Sequence, residues 1–189
     1  MVQIDRSWSL FGICIFVVAA LIAPFFTHSD YDWVQHTTGE LAGQQMPNAW
    51  IMRVGYVSLG FGVFFDALQM VVKRRRDYIA FIIFGLCLIG AVAFNQRSID
   101  PKNFFAAPLA NWHGFFFVFA GLSLVVGIGM RFFHHLDWRS KTINATVIVI
   151  VLATAPLTVL LPQFAGVFER LALIASLAWL ACFFHPKRA

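Results

Sequence analysis

Six apolar runs, each long enough to cross a bilayer, constrain this chain more than any other feature it has. A transmembrane helix needs ~20 apolar residues, because a rise of ~1.5 Å per residue must cover ~30 Å of hydrocarbon. The runs lie at about residues 8–26, 50–72, 78–94, 108–130, 142–160 and 164–184. Inside lipid every backbone N–H and C=O must be satisfied within the segment, so runs of this kind are helices. The expected fold is therefore all-α: a polytopic membrane protein, a bundle of six transmembrane helices forming one domain over residues 1–189. Composition agrees. Only 12% of residues are charged, where a soluble globular chain carries about a quarter. The first run exceeds the usual 7–15-residue core of a signal peptide, and Pro24-Phe25-Phe26 is a poor cleavage context, so it is read as a retained helix. Pro156 is expected to kink the fifth run near its outer end. Cys14, Cys87 and Cys182 all fall within apolar runs and read as small buried hydrophobes rather than a disulfide framework.

Orientation follows from the basic residues. With the N-terminus inside, the inner segments carry ten Lys and Arg (Arg6, Lys73 to Arg76, Arg131, Arg139, Lys141, Lys187, Arg188) and the outer ones four (Arg53, Arg97, Lys102, Arg170). That bias places both termini of a multi-pass membrane protein in the cytoplasm. The run Lys73 to Arg76 then serves as a topology anchor, which accounts for much of the net charge of +5 without a nucleic-acid partner. Ser58-x-x-x-Gly62 and Ser123-x-x-x-Gly127 fit the small-x-x-x-small pattern of close helix contact and suggest that the second and fourth helices pack together.

The longest polar stretch, His28 to Asn48, falls on the outer side, with a helical turn expected around Thr37 to Ala42. The same side collects His36, Glu40, Arg53, Arg97, Asp100, His113, Glu169 and Arg170. Ionisable groups just inside the membrane boundary cost a few kcal/mol each, so they face the bundle interior and find partners. An outward polar pocket follows, with His36, Glu40, Arg53, Arg97, His113, Glu169 and Arg170 as its ligand-binding candidates. Three uses stay open. His36 and Glu40, four apart and on one helical face, join His113 and Glu169 as a candidate divalent-metal shell. Alternatively the carboxylates cap helices and pair with the arginines. Or the arginine forks meet an anionic headgroup. No His-Glu-x-x-His, haem or nucleotide signature is present, and no nucleophile–base pair declares an enzyme. Asp66, alone in the second run, either pairs with a basic group near the inner surface or belongs to a proton relay. His134-His135 reads as a solvated inner loop.

The stretch Tyr31-Asp32-Trp33-Val34-Gln35-His36-Thr37-Thr38-Gly39-Glu40-Leu41-Ala42 resembles a motif of a six-helix prokaryotic membrane family, domain of unknown function number 998. Pro47-Asn48-Ala49 with Arg53-Val54-Gly55, and Gly166-Val167-Phe168-Glu169-Arg170, resemble its continuation and its Gly-hydrophobic-Glu-Arg element. Gly39 stands where the family usually has Ser, and Ala42 where it has Gly. The resemblance implies the six-helix fold and a place in a prokaryotic cytoplasmic (inner) membrane, and draws attention to Glu40, Glu169 and Arg170; it implies no activity. The reading that follows is a membrane protein binding a lipid headgroup or small anion, or an accessory subunit of a membrane complex, with membrane lipids and protein partners expected. A metal-dependent hydrolase acting on an outer-leaflet lipid is the alternative. A small transporter is a third, although no inverted repeat relates the two halves.

Overall fold

Asp66 and Ser7 set where the first span begins. Ser7 accepts the Leu10 N–H at 3.3 Å, while the Asp66 carboxylate accepts the N–H groups of Trp8 (3.2 Å) and Ser9 (2.8 Å) from the middle of another helix. Orphan donors of this helix start are thus met by a side chain of another span. Asp66 thus caps the first helix, a role that its place in an apolar run did not announce. The computed structural model describes residues 7–99, 106–134 and 137–184. Arg6, Asp100, Lys102, His135, Lys187 and Arg188 lie outside the described residues.

Among the described residues seven α-helices follow: α1 (Trp8–Ile22), α2 (Thr38–Leu41), α3 (Trp50–Val72), α4 (Ile79–Ala93), α5 (Ala107–His134), α6 (Trp138–Leu160) and α7 (Ala165–Phe183). All but the four-residue α2 belong to one of six spans long and apolar enough to cross a membrane. At Pro24 the first span tightens into a 3₁₀ turn, Ala23–Phe26. The sixth helix starts at Trp138, before the apolar run proper, because Asp137 caps it by accepting the Ser140 N–H at 2.9 Å. It continues through Pro156 to Leu160.

The six long helices form a ring in chain order: α1 beside α3, then α4, α5, α6 and α7, which returns to α1. Among the described residues α3 and α5 do not pack along one another, and neither do α5 and α7. The expected pairing of the second and fourth spans is therefore wrong. The small residues were read correctly as contact points but assigned the wrong partner. A Cβ on Gly62 would strike the Trp8 backbone carbonyl, and one on Gly12 the Ser58 carbonyl, so this stripe seats α1. Gly127 instead receives the ring of Phe81 from α4. Sequence spacing marks a close approach without saying which neighbour makes it.

The ring is plugged at the end that carries Lys73 to Arg76. Tyr78, Phe81, Trp179 and Phe184 are essentially unexposed, with Phe81 stacked on Trp179 at 5.6 Å and edge-on to Phe184 at 5.0 Å. Arg131 from α5 donates to the Tyr78 hydroxyl and, at 3.0 Å, to the Phe184 carbonyl, so a cation closes the carbonyl end of α7. Toward the opposite end the ring interior opens into an apolar cavity of about 310 Å³. Over that end lies the polar segment containing α2.

Candidate functional site

A polar loop laid against a membrane helix ring brings unpaired backbone groups that water cannot reach freely, and each costs free energy unless a partner is supplied. Most of the ionisable residues singled out above meet this need. Thr37 caps α2 in a capping box: its hydroxyl accepts the Glu40 N–H at 3.2 Å and the Glu40 carboxylate accepts the Thr37 N–H at 2.7 Å. Glu169, 7% exposed, reaches across from α7 to accept the Thr38 N–H at 2.5 Å. The hydroxyls of Thr38 and Tyr56 are 2.7 Å apart beside it, and Tyr56 lies 3.5 Å from the second carboxylate oxygen. At the carbonyl end of α2, Arg53 donates to the Ala42 and Gly43 oxygens at 3.0 and 2.9 Å.

Arg170 does the same for the loop before α2. One terminal nitrogen donates to the carbonyls of Trp33 (2.7 Å), His36 (3.0 Å) and Gly166 (2.8 Å), and the other to the Tyr31 hydroxyl. Its guanidinium also lies 4.9 Å from the centre of the Trp33 ring. Burial pushes the Tyr31 phenol up to about 12, against the opposing pull of the Arg170 charge. The loop in turn supplies carbonyls to the first N–H groups of α7: Gly166 donates to Gln35 at 3.2 Å and Val167 to Val34 at 3.3 Å. A Cβ at Gly166 would collide with the His36 and Trp33 carbonyl oxygens, so only glycine admits this approach. The Gly166-Val167-Phe168-Glu169-Arg170 element thus has a physical reading. Glycine makes room, the glutamate receives an amide, and the arginine collects carbonyls.

The seven expected site residues divide accordingly. Glu40, Arg53, Glu169 and Arg170 are bound to backbone, and among the described residues none of these arginines reaches ion-pair distance of Glu40 or Glu169; the ion pairs there are His28–Asp30 and Arg75–Asp77. The expected carboxylate–arginine pairing is replaced by charge-assisted bonds to the main chain. His36 turns its Nδ1 to the Asp32 N–H (2.9 Å) and stacks on Tyr31. His113, 7% exposed, bonds the Ala91 carbonyl through Nδ1 at 2.7 Å and stacks on Phe117. The quartet His36, Glu40, His113 and Glu169 does not assemble into a metal shell: among the described residues no three His, Cys, Asp or Glu side chains are grouped to hold an ion.

An open chamber of about 580 Å³ remains beside α2. Its walls are Gln35, His36, Thr37 and Glu40 on one side, Gln96 to Ile99 on another, and Thr158, Pro162 and Ala165 from the α6–α7 turn. Of the expected residues, His36, Glu40 and Arg97 line it; the other four stand behind its walls. The Arg97 side chain is exposed there and donates to no group among the described residues. Gln44 ties the floor of the segment to the α4–α5 connection. Its amide nitrogen donates to the Asn95 carbonyl at 2.9 Å, and its amide oxygen accepts the Ala106 N–H at 2.8 Å. Sequence reasoning missed Tyr31, Thr38, Tyr56, Gln44 and Thr158. Thr37-x-x-Glu40 was a legible capping-box signature; a neutral Tyr or Gln announces nothing until its neighbours are known.

Six apolar spans in a ring, capped at one end by a polar segment, define a multi-pass membrane protein. The chain belongs to the family described as Protein of unknown function (DUF998), which matches residues 10–185. No curated protein and no solved structure shows a significant match.

Proposed function

We propose that this is a lipid-binding protein of the cytoplasmic membrane, with both termini in the cytoplasm and the α2 end outward, whose chamber receives the anionic headgroup of a membrane lipid at Arg97. The observation that carries the reading is the meeting of two spaces at Thr158. This residue walls both the polar chamber and the apolar cavity within the ring. A polar site whose guanidinium has no partner among the described residues, beside an apolar one at membrane depth, matches an amphiphile's two ends. Arginine's fork suits phosphate oxygens, while the other nearby arginines are already committed to carbonyls. Orientation rests on the excess of Lys and Arg at the opposite end.

Native mass spectrometry of protein released from phosphatidylglycerol nanodiscs tests this. Wild type retains the lipid, and Arg97→Gln retains about tenfold less, the equivalent of one charge-assisted bond of ~1.4 kcal/mol. Equal retention by the two proteins overturns the assignment. Because the Arg97 side chain bonds to none of the described residues, its replacement leaves thermal stability unchanged.

A further inference from the structure

The chamber accounts for a headgroup, and the ring interior poses a separate question: what fills it. The cavity is lined by Leu59 of α3, Phe84 and Leu88 of α4, residues of α5 from Phe117 to Leu124, and facing residues of α6 and α7. Apart from Thr154, Thr158, Glu169 and Ser176 the lining is apolar and offers water no partner. Its side wall is incomplete between α5 and α6. Val118, Leu122, Leu152 and Val159 line the cavity and are 59%, 48%, 48% and 79% exposed, so neither helix covers the other here. Between them lies Gly121, where an added Cβ would meet nothing within 4 Å. At that depth the surroundings are hydrocarbon, so the solvent that reaches this opening is lipid tail.

We propose that the ring interior is an acyl-chain site, entered sideways between α5 and α6 by one tail of a bilayer phospholipid. The proposal extends the headgroup reading above, on which it rests for the lipid's orientation. The tail lies against Leu88, Leu124 and Leu177, which are buried within the ring, and its glycerol end lies toward Thr158 and the chamber. Gly121 is the sill of the opening. The Glu169 carboxylate, also at the cavity wall, is held upward by the Thr38 amide and leaves its stem to the tail.

Proteoliposomes of phosphatidylglycerol carrying a diazirine on one acyl chain supply the test, with adducts mapped by mass spectrometry after irradiation. Wild type gives adducts on Leu88, Leu124 and Leu177 as well as on the outward Leu171 and Ile174. Gly121→Trp, which fills the opening, loses the interior adducts about tenfold while the outward ones persist, showing that the protein is still inserted. Gly121→Ala keeps both. Adducts confined to Leu171, Ile174 and similar outward positions in wild type overturn the proposal, as does interior labelling that Gly121→Trp does not reduce. Arg97→Gln separates the two readings. Interior adducts in wild type with no effect of Arg97→Gln on lipid retention leave the tail site standing and remove the headgroup assignment. Arg97-dependent retention without interior adducts does the reverse.

Discussion

Replacing Gly166 by alanine tests whether the polar segment is held by close backbone approach to α7. In a free helix the change would help, since Gly costs ~1 kcal/mol relative to Ala. Here the new Cβ meets the carbonyl oxygens of Trp33 and His36, which belong to backbone and cannot rotate away. The segment must lift. Lifting breaks the Gly166 to Gln35 and Val167 to Val34 bonds, each worth ~1 kcal/mol net, and the bond from the Thr38 amide to the Glu169 carboxylate, worth ~1.5–3 kcal/mol because its acceptor is charged. Subtracting the helix gain leaves a destabilisation of roughly 2–4 kcal/mol. For a chain of 189 residues this lowers Tm by about 5–15 °C, at roughly 2–4 °C per kcal/mol. The assay is thermal unfolding in detergent, with hydrogen exchange at the Thr38, Gly166 and Val167 amides, which lose protection together. Gly121→Ala is the matched control, because its Cβ enters open space and only the helix gain applies. A Gly166→Ala protein as stable as Gly121→Ala would refute the reasoning.

Three further outcomes follow from the same geometry. Glu169→Ala strands the Thr38 amide and lowers stability by about 1–3 kcal/mol, whereas Glu169→Gln keeps an acceptor oxygen there and loses less; thermal unfolding of the two separates acceptor from charge. Tyr31, with its phenol raised from 10.0 to about 12, favours the folded chain in its protonated form. That stability is whole below pH 10 and is lost as the pH rises through about 12, so Tyr31→Phe removes this step from an alkaline unfolding curve. Asp66→Ala uncaps α1 at a cost of about 0.5–2 kcal/mol, seen as faster amide exchange at Trp8 and Ser9 with the polar segment unaffected.

The spans were legible because length and hydropathy decide them locally, and α3 occupies Trp50–Val72, the residues of the second apolar run. What the polar residues do was not legible, for a physical reason. Sequence shows side-chain charges and invites pairing them with one another, as Glu169 with Arg53 or Arg97. The unmet partners were backbone amides and carbonyls of an irregular segment, whose positions exist only once the ring has formed. Asp66 illustrates the same blindness: a lone carboxylate in an apolar run pointed to other side chains or a proton relay, and the backbone amides at the start of α1 that it accepts from could not be foreseen. The ring's hollow was equally hidden, since the residues facing it, such as Leu88 and Leu124, are as apolar as those facing lipid.

The order of the ring also bears on how the protein is made. The pairs α1–α3, α3–α4 and α4–α5 join helices next to each other along the chain or separated only by the polar segment, so each can close as soon as its second member enters the membrane. The latch on the polar segment is different. Arg170, Glu169 and the amides of Gly166 and Val167 all belong to α7, more than 120 residues after the loop they hold. Until the last span is inserted, the carbonyls of Trp33 to His36 and the amide of Thr38 lack the partners that α7 supplies. Their ordering is therefore a signal that synthesis and insertion have run to the end, and a chain stopped before α7 displays an open segment to any protease on that side of the membrane.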